Sequence, residues 1–297
     1  MANLKEVKSR ISSVTSTQQI TSAMKMVAAA KLRRAQDRII QMRPYSQKLT
    51  SILQNVSANL SGDVENKYGE VRESDNVLIV VVSSDRGLCG AFNNNAFKET
   101  IKLINSKYSY EKKRGGIHIF PVGKKAFEYF SKRGYQVVSD HYELMHNLNF
   151  DNAKLAAEQI MKDFVDGAYD KVDIVYNEFK NVATQILRVE QFLPVESANT
   201  DVEGVEPDSI DYLYEPSMEY VVSELIPKSL KIQFYKAALE SNASENGARM
   251  TAMGQATDNA GEMLKALKLT YNRTRQAAIT KEILEIVGGA EALAAQN

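Results

Sequence analysis

From Leu4 to Met42 two interleaved series of positions recur every seven residues. One reads Leu4, Ile11, Gln18, Lys25, Leu32, Ile39, and the other Val7, Val14, Thr21, Ala28, Ala35, Met42. Apolar residues fill both ends of this seam, while Gln18, Thr21 and Lys25 interrupt its middle. A repeat sustained over about five heptads predicts a coiled-coil helix rather than an ordinary surface helix. Pro44 lacks a backbone donor and is expected to bend or break the helix, which continues to about Leu60. The last third of the chain repeats the pattern through Ile232, Leu239, Ala243, Asn246, Met250, Met253, Thr257, Ala260, Leu264, Leu267, Tyr271, Thr274 and Ala278. No proline follows Pro227, and Gly288-Gly289 reads as the helix stop. At 1.5 Å per residue, Leu4–Leu60 and Ile232–Val287 would each be roughly 80–90 Å long. The matched lengths predict an antiparallel pair with the middle of the chain inserted at one end.

Within the C-terminal pattern Gly247, Gly254 and Gly261 recur at spacing seven, each costing about 1 kcal/mol of helix propensity relative to Ala. Two readings stand: close backbone approach of a neighbouring helix, or a compliant face on a helix that must twist.

Between these helices the period changes. Val77–Ser83 is an almost continuous apolar run, as expected of a strand buried on both faces. An amphipathic helix with Phe97, Ile101 and Ile104 follows. Ile117–Val122, Tyr135–Val138, Val172–Tyr176 and Ala183–Val189 read as further strands, and Lys124–Arg133 and Lys154–Tyr169 as helices. This alternation predicts a doubly wound, Rossmann-like α/β domain. The division is therefore residues 1–60 as N-terminal coiled-coil helix, 76–195 as central α/β domain, 196–216 as acidic connecting loop, with Asn199–Asp211 its exposed acidic stretch, and 217–297 as C-terminal coiled-coil helix.

Composition narrows this only slightly. The 297 residues are 44% hydrophobic and 25% charged, which is ordinary for a globular protein. No run reaches the ~18 apolar residues of a spanning helix, and no signal or transit peptide is recognisable ahead of the first heptad. A single cysteine, Cys89, excludes an internal disulfide. The formal charge is zero, from 37 basic and 37 acidic residues. The zero is a cancellation: residues 1–60 hold 10 basic and 2 acidic side chains, whereas residues 61–230 hold 19 and 28. A basic segment of that strength wants an acidic partner.

Candidate chemistry is sparse. The loop Asp85–Ala91 after the first strand lacks the G-x-G-x-x-G fingerprint, and Gly123-Lys124-Lys125 is not a P-loop. His118, His141 and His146 do not have zinc-ligand spacing. Cys89 has no base placed beside it and reads as a buried small residue. No cofactor, metal or catalytic constellation is expected. The cluster Lys31, Arg33, Arg34, Arg38 lacks the interleaved aromatics of a nucleic-acid surface, and reads either as a solvated face or as a contact with an acidic protein. Ile20, Met24 and Val27 form a second apolar stripe off the main seam, and Ile279, Ile283 and Ile286 do the same near the C-terminus. A two-stranded coil buries one stripe, so a third body should enclose this end, or the stripe should pack on the α/β domain.

The run Arg10-Ile11-x-Ser13-Val14-x-Ser16-Thr17-Gln18-Gln19-Ile20-Thr21-x-Ala23-Met24-Lys25-Met26-Val27-Ala28-Ala29 resembles the γ subunits of F-type ATP synthases, as does the loop Ser83–Gly90. The C-terminal match is stronger: Ala248-Arg249-Met250-x-Ala252-Met253, Ala256–Ala260, and Tyr271-Asn272 through Arg275-Gln276-Ala277-x-Ile279-Thr280-x-Glu282-Ile283-x-Glu285-Ile286 to Ala290. The resemblance covers the whole chain.

That resemblance implies a rotor. In the family the paired terminal helices turn inside a hexamer of α and β subunits, and the α/β domain sits with the ε subunit on the membrane-embedded c-ring. ATP chemistry takes place on β, with no reacting group from γ. It implies partner contacts, with acidic β loops and the α/β bearing, at Ile20, Met24, Val27, Lys31, Arg34, Arg275, Gln276, Ile279, Thr280, Glu282 and Glu285. It also implies no cofactor, no nucleic acid and no membrane span, and a place on the cytoplasmic side of a bacterial inner membrane, the start at Met1 favouring the bacterial form. A nucleotide-dependent α/β enzyme with a helical appendage, and a basic coiled-coil nucleic-acid binder, are the competing classes.

Overall fold

A computed structural model describes residues 4–59, 67–182, 184–195 and 218–294. Two very long helices, α1 (Leu4–Asn59) and α6 (Met218–Ala294), flank the remaining elements in sequence. Between them lie β1 (Val77–Val82), α2 (Phe92–Ser106), α3 (Ser109–Arg114), β2 (Ile117–Val122), α4 (Lys124–Ser131), β3 (Gln136–Val137), α5 (Phe150–Val165), β4 (Lys171–Phe179) and β5 (Gln185–Leu193). The expected connecting loop 196–216 lies outside the described residues. The chain forms two compact units: Met1–Val27 with Met250–Asn297, and Ala28–Arg249.

α1 continues past Pro44 to Asn59, close to the expected end at Leu60, whereas the stop expected at Gly288-Gly289 is overridden, α6 running on to Ala294. A proline costs a helix about 3 kcal/mol and a glycine about 1, so either is a weak stop inside a helix held by dozens of other hydrogen bonds.

In the larger unit the five strands are ordered β3-β2-β1-β4-β5. β1 is central and pairs in parallel with β2 and β4. Every residue of β1 is buried, which explains its unbroken apolar run. Val77, Ile79 and Val81 face a core with Phe97 and Ile104 of α2, Tyr108, and Phe130 of α4. Leu78, Val80 and Val82 alternate to the opposite face. The sheet is therefore parallel-rich, as expected, with one antiparallel edge: β5 pairs with β4 along most of its length. The short polar helix α3 carries no apolar periodicity and is not legible in the sequence.

α6 is fixed to the end of β4 by polar bonds. The Phe179 N–H donates to Glu240 Oε2 at 3.0 Å, and Ser244 Oγ donates to the Asn177 carbonyl at 3.0 Å. Glu240 is almost fully buried, with Arg43 of α1 at 3.7 Å. Burial pushes its carboxyl above the ordinary carboxylate range, against the Phe179 N–H and Arg43, which favour the charged form.

In the smaller unit α1 and α6 run antiparallel, in a register fixed by Thr21 and Thr257, whose hydroxyl oxygens are 2.8 Å apart. Gln18 lies over Gly261, and the Lys25 side chain lies over Gly254. The polar interruptions of one seam thus match the glycines and threonine of the other. At Gly254 and Gly261 the nearest neighbours are the side chains of Lys25 and Gln18, not a partner backbone, which goes against the first of the two readings of the glycine spacing. Gly247 packs in the larger unit under the Phe179 ring and beside the Val182 backbone. A Cβ at Gly254 would sit 3.5 Å from Lys25 Nζ, an ordinary contact. Gly254→Ala should therefore raise the stability of the helix pair by about 0.5–1 kcal/mol in denaturant melts. A destabilised variant would show that the glycine serves close packing after all.

Candidate functional site

The predicted contact residues sit on the two long helices and separate into three groups. On α1, Ile20 and Val27 are exposed, at 60% and 56%, and Met24 is half-buried. Met26, at 66%, joins them. These side chains lie off the seam that Thr21 and Ala28 bury.

On α6, Arg275, Gln276, Ile279, Thr280, Glu282 and Glu285 are all exposed. The Thr21–Thr257 register explains why: it sets Thr274 opposite Leu4, so α6 from Arg275 onward has no described α1 residue across from it. Ile279, Ile283 and Ile286 form one unpartnered apolar stripe there, flanked by Leu284 and Val287. Among the described residues the side-chain polar contacts of this segment are local, Thr280 Oγ1 to the Gln276 carbonyl at 3.0 Å and Lys281 with Glu285 at 3.5 Å. The two apolar stripes therefore do not meet. Ile20 aligns with about residue 258, so Ile279 lies roughly 30 Å farther along the pair. Both stripes lie in the smaller unit, toward one end of the pair as expected, but offset along it because α6 overhangs α1.

Lys31 and Arg34 form the third group, exposed on α1 within the larger unit, where they line a cavity with Arg38, Arg86 and Arg249. Sequence reasoning assigned no role to Arg249, although its i,i+4 spacing from Glu245 was visible. The two form a close ion pair, both nearly buried. Arg249 Nη2 also donates to the carbonyls of Arg86 and Gly87, at 2.9 and 3.3 Å. Burial pushes the Glu245 carboxyl upward, and Arg249 opposes that shift.

This arginine fixes the loop after β1, whose interior is a closed hydrogen-bond set. Asn93 Nδ2 donates to Ser84 Oγ at 2.7 Å and to Cys89 Sγ at 3.3 Å. Ser84 Oγ donates to the Arg86 carbonyl at 2.7 Å. Ser83 Oγ accepts the Ala126 N–H at 2.9 Å and Asp85 Oδ1 accepts the Lys124 N–H at 3.1 Å, so the loop after β1 also caps the start of α4. Leu88 and Gly90 turn the chain at φ 66° and 60°. Burial pushes the Cys89 thiol upward and away from thiolate reactivity. His118 stacks edge-on to Tyr169, and His141 pairs with Gln159 at 2.9 Å. Asp173, wholly buried, is taken up by Tyr108 Oη at 2.6 Å and Lys107 Nζ at 3.0 Å. Among the described residues no cluster of His, Cys, Asp or Glu has the form of a metal site, and no helix is long and apolar enough to cross a membrane.

The family model described as ATP synthase matches residues 3–293. The ATP synthase gamma chain of Cytophaga hutchinsonii is 59% identical over 293 residues, covering 99% of each chain. That of Christiangramia forsetii is 54% identical with the same coverage. Among solved structures, the central stalk and c-ring of the Tetrahymena thermophila mitochondrial ATP synthase contains a chain 26% identical, with a TM-score of 0.56 over 80% of this chain and 99% of that one. A chain of the Euglena gracilis mitochondrial ATP synthase, 23% identical, shares the fold at a TM-score of 0.70 over 98% of this chain and 94% of that one. The chain belongs to the ATP synthase family, among its gamma chains, the central-stalk subunits of F1Fo ATP synthase.

Proposed function

We propose that the chain is a non-catalytic rotor that couples ion flow through a membrane sector to ATP synthesis and hydrolysis on neighbouring subunits. The exposed apolar stripes carry this reading. Ile279, Ile283 and Ile286 on one helix, and Ile20, Met26 and Val27 on the other, expose large apolar surface that water disfavours. An α3β3 hexamer enclosing the helices would cover it. Because the stripes are offset along the pair and lie off its seam, the enclosed object has no rotational symmetry. Turning it would present a different contact to each β subunit in succession.

In this reading Ile20, Met24, Val27, Lys31 and Arg34 meet the acidic β loops. Arg275, Gln276, Ile279, Thr280, Glu282 and Glu285 run in the bearing. The ε subunit and the c-ring are the remaining partners, and the complex sits peripherally on the cytoplasmic face of a bacterial inner membrane. The chain needs no cofactor and no nucleic acid. The buried, pair-bonded states of Asp173, Glu240, Glu245 and Cys89 favour a structural role for each over a catalytic one.

A direct test fixes the β subunits of the α3β3γ assembly to a surface and attaches a visible probe to this chain. Adding ATP should produce stepwise, unidirectional rotation of the probe. A probe that stays still while ATP is hydrolysed would overturn the rotor reading.

A further inference from the structure

In the larger unit three elements bring cationic groups to one hollow. Lys31, Arg34 and Arg38 come from α1, Arg86 from the loop after β1 and Arg249 from α6, and with His146 they line a cavity of about 410 Å³. The acids in the lining are Asp85 and Glu245, and both are already engaged: Glu245 pairs with Arg249, and Asp85 Oδ1 accepts the Lys124 N–H. Arg38 gives one nitrogen to the Leu148 carbonyl at 3.2 Å. The side chains of Lys31, Arg34 and Arg86 engage no hydrogen-bond acceptor among the described residues. Five cations against two carboxylates, held in one concavity by separate elements, form a preorganised anion receptor.

We propose that this cavity binds a phosphate group, supplied either as free phosphate or pyrophosphate or as the phosphate end of a nucleotide. The guanidinium fork presents paired donors at the spacing of phosphate oxygens, and here arginines approach from more than one element. The cavity also borders the loop that follows β1, through Asp85 and Arg86, beyond the carboxyl end of that parallel strand, where open α/β sheets take their ligands. Apart from His146 the lining offers no aromatic surface, and its apolar part is Ala35, Met145 and Leu148. The site is therefore built for the phosphate and not for a base. A bound phosphate would tie α1, the loop and α6 together through charge-assisted bonds. This inference does not rest on the rotor reading, and it gives Lys31 and Arg34 to a phosphate where that reading gives them to acidic β loops.

Calorimetry on the full chain at constant ionic strength tests it, with phosphate, pyrophosphate, ADP and citrate as titrants. One phosphate-bearing ligand should bind per chain, with hydrogen exchange slowed at residues 31–38 and 85–88. Arg34→Gln and Arg86→Gln, both at exposed side chains, should each weaken binding about tenfold. Arg33→Gln removes the same charge from a position outside the cavity and should leave the affinity unchanged. Binding of pyrophosphate alone identifies a free-phosphate site, and tighter binding of ADP identifies a nucleotide tail; either supports the proposal. Absence of saturable binding would overturn it. So would citrate binding as tightly as pyrophosphate, or equal weakening by all three substitutions, since each would mean a diffuse basic surface.

Discussion

Replacing Arg249 by Ala should destabilise the larger unit by about 3 kcal/mol, the usual order for removing one partner of a buried ion pair. The loss has two sources. Glu245 is left nearly buried without its cation, and the carbonyls of Arg86 and Gly87 lose their donor. The second loss frees the loop after β1 from α6, so slowed hydrogen exchange at Arg86–Cys89 should disappear in the variant even where the rest of the sheet stays protected.

The same variant should acquire a pH dependence of defined sign. Burial raises the Glu245 carboxyl above its ordinary value of 4.5, and Arg249 restrains that rise. Below that value the carboxyl is protonated whether the chain is folded or unfolded, and burial carries no ionisation penalty. Above it the unfolded chain ionises first, so stability falls as pH increases until the folded carboxyl also ionises. Without Arg249 the folded value moves higher and the window of loss widens. The deficit of Arg249→Ala relative to the parent should therefore be smaller at about pH 5 than at about pH 8. Adding Glu245→Gln should remove most of this slope. A deficit independent of pH in the single variant would assign the loss to the loop carbonyls alone.

The seam was legible in the sequence because a period of seven is a local property. Every position assigned to it from Leu4 to Met42 is buried or half-buried except Lys25, whose side chain lies across Gly254. The central strand was equally legible, since six consecutive apolar residues have few uses other than a strand covered on both faces. What stayed hidden depends on pairing across long separations. The overhang of α6 follows from Thr21 meeting Thr257, and nothing in either helix alone sets that register. Likewise Arg249 recognises backbone carbonyls 163 and 162 residues away, and a carbonyl carries no residue identity for a pattern to detect. Gly288-Gly289 misled because it reports local propensity, which the surrounding helix outweighs. Ile20, Met24, Val27, Ile279, Ile283 and Ile286 were visible as apolar positions off the seam, but the separation between the α1 and α6 stripes was not.

Met24→Lys should uncouple ATP hydrolysis from ion transport while leaving assembly of the complex intact. Met24 is only half-buried, between exposed Ile20 and Val27, and a lysine retains a long aliphatic stem there, so the helix pair has little to lose. The added charge would act between this chain and the acidic β loops. An exposed ion pair is worth about 0.2–1 kcal/mol, which biases one rotary position over another by up to about fivefold. A rotor that lingers in one position slips instead of stepping. Ions moved per ATP hydrolysed should accordingly fall about twofold to fivefold, and the deficit should shrink at high salt as screening shortens the reach of the new charge. Met24→Gln supplies similar bulk without the charge and should couple normally. If the glutamine variant slips as badly as the lysine one, shape and not charge governs this contact, and the acidic loops are not its partner.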